Sequence, residues 1–378
     1  MALKVYQLLA SHKWTGPAEG VVTLTRDLRE RGHEVRLFCT PNERRLLADR
    51  AEVRGVVPEG EFKLEANKIL GSLGDIRKLK ALIKKEEPDI LHVHLSPDHA
   101  IGALALRKAG VRTRLVRTIH NSRTLEMRAF RGKLYGAMTD GFITLGEGDK
   151  ALLLERFKVS PERVSVIHGA VDIKRFNSNM EARLGRAEFG LKMTTPVIGM
   201  VARFQKHRRH NMVISIIGRL IKNYPNLKLL LVGRGEHQEA IEEMVRNKGL
   251  DRHVIFAGYR DEDLPQVYAA MDILVFPKAG SDGSCRAVLE AMAVGRPVVA
   301  FKVGALSDTI VHGKTGCLVP EGDEKELERA LEDLLYDRST AQNMGEEARL
   351  LIESSFNETL RAERTERFYE GVLRQGKQ

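Results

Sequence analysis

Short β-rich apolar runs alternate with helix-period segments along this chain, and near residue 195 the alternation starts again. Residues 5–9, 34–39, 90–94, 116–120, 141–145 and 164–167 read as strands, and 20–31 and 79–86 carry the apolar spacing of amphipathic helices. Such alternation requires parallel sheets buried on both faces, because parallel strands need crossover helices and those helices cover the sheet. The second series, 196–201, 228–232, 254–257, 273–276 and 297–301, is interleaved with helices such as 212–222 and 264–270. A length of 378 residues suits two cores rather than one. The expected fold is α/β, with two doubly wound Rossmann-like domains at 1–170 and 190–355 facing across a cleft. Their boundary falls between Gly169 and Thr195, where 172–179 is polar and aperiodic and 180–189 reads as a short helix. Helices are also expected at 325–335, 341–354 and 359–373, the last packing back on the first domain. Ligands of doubly wound folds bind beyond the carboxyl ends of the strands, so functional residues are sought there.

Composition removes several classes. No stretch approaches the roughly 20 apolar residues of a membrane-spanning helix. The apolar run at 5–10 is too short for a secretory signal, and Cys39, Cys285 and Cys317 form neither a disulfide framework nor a zinc pattern, so a cytoplasmic protein is expected. The net charge of +10 suits an anionic partner. Residues 1–168 carry 30 basic and 21 acidic side chains and hold nearly all of that surplus. Within Arg107–Lys133, nine cations face only Glu126. That run is either a solvated basic surface or a patch for an anionic acceptor or membrane, which would place the protein peripherally on the inner face of the cytoplasmic membrane. Nucleic acid is disfavoured, because aromatics are 6% of the chain with a single Trp.

The densest chemistry lies at 276–300. A strand ending at Phe276 leads into a loop with Gly283, Ser284 caps a helix beginning near Cys285, and Gly295-Arg-Pro297 stops that helix. The N–H groups of Ser284, Cys285 and Arg286 form an anion site. Asp282 lies before the cap and Glu290 about 9 Å beyond it along the helix axis, so a diphosphate at the cap would have one carboxylate near each of its substituents. Two hydroxyl-rich groups flanking a diphosphate describe a nucleotide sugar.

This segment resembles the E-x7-E signature of GT-B glycosyltransferases of family 4, whose Leu-Glu-Ala-Met-Ala-x-Gly-x-Pro-Val-Val-Ala run stands unbroken from Leu289 to Ala300. The resemblance covers nearly the whole chain. It implies retaining transfer of a sugar from a UDP- or GDP-linked donor without a bound metal. It makes Glu290 the ribose ligand and gives the donor-sugar position to Asp282, where the family usually has Glu. Arg203 matches the Arg of the family's Arg-x4-Lys element, with Arg208 in place of Lys and Lys206 beside it, cations for the diphosphate. Gly233-Arg-Gly235 lines the nucleotide pocket by resemblance, and Tyr259 and Arg260 lie in the segment that meets the base. Gly16-Pro17 replaces the family's Gly-Gly pair, so the phosphate contact there is expected from Gly16 and a helix N-terminus near Ala18.

His120, at a strand end, matches the family's cleft histidine and is taken with Asp282 as catalytic, aligning the sugar. His92 and His94 point to one face and are given a structural or acceptor-side role. Asp261-Glu-Asp263 is read as the acidic first turn of a helix rather than a metal site. Ala305 and Asp308 depart from the family's Gly-Gly-x-Pro-Glu, and Gly313-Lys-Thr-Gly316 is read as a hairpin turn. The resemblance implies donor binding by the second domain, presentation of a lipid-linked, lipopolysaccharide or other cell-envelope glycan acceptor by the first, and domain closure that excludes water. A nucleotide-sugar epimerase or phosphorylase of the same fold is the alternative reading.

Overall fold

The computed structural model describes residues 2–41, 45–60, 62–64, 69–125, 129–278, 283 and 285–375. The chain divides into two compact units. The first comprises Met1–Gly169, Ser281–Ser284 and Glu358–Gln378, and the second Ala170–Gly280 and Cys285–Asn357.

In the first unit the elements run β1 (Lys4–Leu9), α1 (Gly16–Glu30), β2 (Glu34–Cys39), α2 (Ala48–Val53), α3 (Ile69–Glu86), β3 (Ile90–Val93), α4 (Ser96–Ala109), β4 (Arg114–Ile119), α5 (Ala129–Ala137), β5 (Gly141–Thr144), α6 (Glu147–Phe157) and β6 (Val164–Val166). The strands form one parallel sheet in the order β2-β1-β3-β4-β5-β6. The chain leaves β1 toward one edge and returns at β3, so the strand order reverses between them. One face packs on α3, α4 and α6 through Leu79, Ile83, Ile101 and Leu153. The other is covered by α1 and by the terminal helix of the chain, Glu358–Gln375. A Cβ at Gly141 would stand 2.7 Å from Val372 and 2.9 Å from Phe368, so that helix lies directly on β5. The Arg361 guanidinium meets Asp27 at 2.9 Å, and Arg26 reaches Glu358.

The second unit runs α7 (Ala182–Glu188), β7 (Val197–Val201), α8 (His210–Leu220), β8 (Lys228–Val232), α9 (Gln238–Asn247), β9 (Val254–Gly258), α10 (Leu264–Ala270), β10 (Ile273–Phe276), α11 (Arg286–Ala293), β11 (Val298–Phe301), α12 (Leu306–Thr309), β12 (Gly316–Val319), α13 (Glu324–Tyr336) and α14 (Arg338–Ser355); α15 is the terminal helix already described. Its sheet is parallel in the order β12-β11-β10-β7-β8-β9, reversing between β7 and β10. Asp272 pins the amino ends of those two strands, accepting from the Val197 N–H at 2.7 Å and from Arg186 at 2.7 Å. Residues 172–179, polar in sequence, are packed: Phe176 is buried against Tyr268, and just before them the Val171 N–H bonds to the Phe356 carbonyl.

The two parallel doubly wound sheets agree with the expected fold class. Three elements depart from the sequence reading. Helix α1 begins at Gly16 rather than 20, because Thr15 caps it and Pro17 fits its first turn. Helix α3 begins ten residues before the expected start, across Gly71 and Gly74, whose poor helix propensity hides the amphipathic period. Strand β12 was missed, since its apolar run is only Cys317–Leu318–Val319.

Candidate functional site

In the second unit, the loops after β7, β8 and β9 are stitched together at the carboxyl edge. The Ala202 N–H bonds to Val232, Phe204 to Arg234, and Gly233 to Gly258. Both glycines of the Gly233-Arg-Gly235 turn are required by this packing. A Cβ at Gly233 would lie 2.1 Å from the Ala202 carbonyl oxygen, and one at Gly235 would lie 2.3 Å from that of Phe204. The turn therefore makes a close approach to the protein's own backbone. Gly233 also holds φ at +142°, a region L side chains rarely adopt. Gly233→Ala should cost several kcal/mol, on the order of the overpacking and backbone penalties combined, read as a melting temperature lowered by several degrees.

Arg203 follows β7 and is exposed. Arg208 ends a short 3-10 turn, is buried, and lays its guanidinium over the Phe276 ring at 5.4 Å. Phe276 is the last residue of β10, so Arg208 stands where the strand order reverses, the place doubly wound folds use for ligands. Tyr259 is 43% exposed and faces Arg234, whose guanidinium is 4.7 Å from its ring. Arg260 is committed elsewhere. Its Nε donates to the Ala257 carbonyl at 2.7 Å, its Nη1 meets Asp263 and Glu188, and it covers Phe189. Asp261 pairs with Arg175, so these acids hold loop cations rather than serving only the first turn of α10.

Helix α11 starts at Arg286, and Cys285 before it is buried in the left-handed region at φ +50° with no side-chain cap bond. The expected cap, Ser284, and the sugar-side acid, Asp282, lie outside the described residues. Glu290 is 3% exposed. Arg286, one turn earlier, donates from Nε to its Oε1 at 2.7 Å, and the Tyr268 hydroxyl donates to Oε2 at 2.8 Å. Burial, and then the Glu290 carboxylate, raise the Tyr268 phenol well above its ordinary value, so it remains a donor. Sequence reasoning missed Tyr268, which lies on a different helix, 22 residues earlier.

In the first unit, Gly16 opens α1, but the Ala18 N–H is taken by the Thr15 hydroxyl at 3.4 Å and Pro17 has none. The anion site expected near Ala18 thus reduces to Gly16. His120 follows β4. Its Nε2 lies 3.2 Å from His94 Nδ1, and His94 Nε2 lies 2.9 Å from Gln7 Oε1. Gln7, His94 and His120 therefore form one hydrogen-bonded chain, and His120 Nδ1 is the ring nitrogen not used in it. His92 stacks on His94 at 4.2 Å and bonds to the Tyr369 hydroxyl of α15 at 2.6 Å and to Thr118 at 2.7 Å. Burial, with neighbouring His120, His92 and Arg117 adding to it, holds His92 and His94 well below their ordinary values. Burial and Arg117 bring His120 down to about 3. Gly283, grouped with this unit, donates its N–H to the His120 carbonyl at 2.8 Å.

The basic run does not form one surface. Arg117 is fully buried, donating to the Leu95 carbonyl at 2.5 Å, with Asp98 at 3.5 Å, and Arg114 pairs with Asp140 at 3.1 Å. Burial pushes the Asp98 carboxyl up to about 6, opposed by Arg117 and by the backbone N–H groups of Ala10, Leu95 and His94. Of the exposed cations, Arg107, Lys108 and Arg112 precede β4 and Arg123 follows it, at opposite ends of a strand of six residues, roughly 20 Å long, and Lys133 lies on α5. Arg128 lies outside the described residues.

Two parallel doubly wound Rossmann-like sheets in tandem, each with polar side chains at its carboxyl edge, define a GT-B type of architecture. The model for Glycosyltransferase Family 4 matches residues 14–175, and that for Glycosyl transferases group 1 matches residues 183–351. The chain belongs to this family of glycosyltransferases. It is 26% identical over 305 residues to the N-acetyl-alpha-D-glucosaminyl L-malate synthase of Bacillus anthracis, covering 79% of each chain. It is 25% identical over 313 residues to an Escherichia coli UDP-Gal:alpha-D-GlcNAc-diphosphoundecaprenol alpha-1,3-galactosyltransferase, covering 80% of each. Among solved structures, Anabaena HepE in complex with UDP superposes with a TM-score of 0.83 at 20% identity, over 97% of this chain and 99% of that one.

Proposed function

We propose that this chain is a retaining glycosyltransferase that moves a sugar from a UDP- or GDP-linked donor, without a bound metal, to a lipid-linked or other cell-envelope glycan. The observation that carries the donor side is Glu290, a buried carboxylate fixed by Arg286 and Tyr268 on the helix after β10. Arg208 stands at the end of that same strand. A nucleotide diphosphate would place its ribose at Glu290 and its phosphates toward Arg208, Arg203 and the start of α11. There the cations stabilise the charge that develops on the leaving diphosphate. In the first unit, the neutral His120 would meet a sugar hydroxyl through Nδ1, the ring nitrogen not bonded to His94. The names of the two relatives, both sugar-transferring enzymes, support the reaction class, and the undecaprenol-linked substrate named for one supports the acceptor class.

A thermal-shift panel of nucleotide diphosphates and their sugars tests the donor side. A ligand at 100 times its dissociation constant stabilises by about 2.7 kcal/mol. UDP- or GDP-sugars should raise the melting temperature, and silence with every nucleotide would overturn the reading. Turnover should survive EDTA, and NMR of the product should show the anomeric configuration of the donor. Epimerised donor in the absence of acceptor, or cleavage that requires phosphate, would instead assign the chain to an epimerase or phosphorylase. Peripheral contact with the cytoplasmic face of an anionic membrane would rest on Arg107, Lys108 and Arg112. Neutralising all three should then release the protein from phosphatidylglycerol vesicles.

A further inference from the structure

At the opposite end of the second sheet, where β7, β10 and β11 begin, the described residues enclose a crevice of about 700 Å³, a volume typical of small-molecule sites. Pro196, Asp272 and Pro297 form its floor, and α13 and α14 form its wall. Helix α14 is drawn tightly over the end of α11, since a Cβ at Gly345 would lie 2.1 Å from the Gly295 carbonyl oxygen. Arg338 and Arg349 of α14 and Arg296 of the loop between α11 and β11 bring three guanidinium groups to the crevice, beside the apolar Leu334, Leu335 and Leu350.

The cations are only partly answered by the protein. The Arg296 Nε is buried with no hydrogen-bond partner. The carboxylate nearest in kind, Asp272, already accepts from Arg186 and from the Val197 N–H. Arg186 and Arg296 therefore flank a single acid, and burial depresses the Arg296 guanidinium, with Arg186 adding to the effect and Asp272 opposing it. Arg338 donates to the Thr194 carbonyl at 3.0 Å, and Arg349 to the Ala293 carbonyl at 3.0 Å and to Glu353. Each guanidinium has five N–H donors, so both retain donors for another acceptor. Glu346, the remaining acid of the wall, accepts from Gln342 at 3.1 Å. A buried cation lacking its full complement of acceptors is costly unless an anion completes it.

We propose that this crevice is a second anion site, taking an organic phosphate or carboxylate whose charge meets Arg296, Arg338 and Arg349 and whose apolar body lies on Leu334, Leu335 and Leu350. The site is separate from the diphosphate position of the proposed function. It lies at the amino end of strands whose carboxyl ends carry Arg208 and the approach to α11, about 15 Å away along four to five strand residues.

Calorimetric titration of the intact chain with phenyl phosphate and with decyl phosphate, each in the presence and absence of UDP, tests the proposal. Binding of either with a stoichiometry near one, unaffected by UDP, is the expected result. Equal affinity for the two assigns the site to soluble organic phosphates, and binding of decyl phosphate alone assigns it to lipid phosphates. Arg296→Gln should weaken binding at least about tenfold, since one charge-assisted hydrogen bond accounts for that much. Arg338→Gln, on the rim, serves as the second variant if Arg296→Gln alters the fold, while Arg246→Gln on α9 should leave binding unchanged. Absence of binding, displacement by UDP, or equal affinity in wild type, Arg296→Gln and Arg338→Gln would overturn the proposal.

Discussion

Glu290→Gln should weaken binding of the nucleotide diphosphate by about tenfold to a hundredfold while changing the apo melting temperature far less. Hydrogen bonds to a charged group contribute about 1.5–3 kcal/mol, and each 1.4 kcal/mol is about tenfold in affinity. In wild type the carboxylate accepts from Arg286 at 2.7 Å and Tyr268 at 2.8 Å, and both bonds orient it before any ligand arrives. Glutamine keeps the shape and one acceptor oxygen but gives up the charge that ribose hydroxyls would donate to. Tyr268→Phe should give a smaller loss of the same kind, because the carboxylate keeps its charge and its bond from Arg286 while losing the one from Tyr268. The check is a pair of measurements on each variant: the apo melting temperature and the shift at saturating UDP or GDP. An undiminished ligand shift in Glu290→Gln would remove Glu290 from the site, whereas a collapsed apo protein would mark it as structural.

The Leu289–Ala300 run was legible because its meaning is local: an apolar helix, one acid, a Gly-Arg-Pro stop and a strand follow one another within a dozen residues. Strand identity was equally legible, since parallel strands buried on both faces read as short apolar runs. What failed was anything that depends on which way a side chain points or on partners distant in sequence. Summing charge from Arg107 to Lys133 suggested one patch, yet Arg117 is fully buried near Asp98 and Arg112 and Arg123 lie at opposite ends of β4. A lone Arg inside an apolar strand was the available signal that the sum was unsafe. The packing that demands glycine at 233, against the Ala202 carbonyl of the neighbouring loop, was likewise invisible in the sequence. His92 and Tyr369 are 277 residues apart and meet only because α15 lies on the first sheet.

Acidification should unfold the first unit well before the second. His92, His94 and His99 are held well below their ordinary values by burial, and His120 is brought down to about 3. In the unfolded chain the same imidazoles take up protons near pH 6.5. Above that pH both states are neutral and stability is whole. Below it the unfolded chain binds protons that the fold refuses, and each histidine removes about 1.4 kcal/mol per pH unit until its folded value is reached. All four act in the same direction, so the stability of the first unit falls as pH drops below 6.5. Asp98 acts in the opposite direction. Its folded carboxyl, at about 6, binds a proton more readily than the unfolded one, so falling pH returns at most about 3 kcal/mol between 6 and the unfolded value. Four histidines against one carboxyl leave the balance in favour of unfolding as pH falls below 6.5. In the second unit, among the described residues, His210 has a comparable shift, to about 4, which alone removes far less. The single tryptophan, Trp14, sits in the first unit beneath Arg54 at 4.5 Å and reports on that unit alone. Its fluorescence should change cooperatively as pH falls through this range, while hydrogen exchange in β7, β8 and β10 remains protected. His92→Gln combined with His94→Gln should roughly halve the pH slope, whatever it does to stability at pH 7.5, because two of the four proton-refusing groups are gone. Simultaneous loss of both units, or an unchanged slope in that variant, would show that the buried imidazoles do not govern the acid limit of the fold.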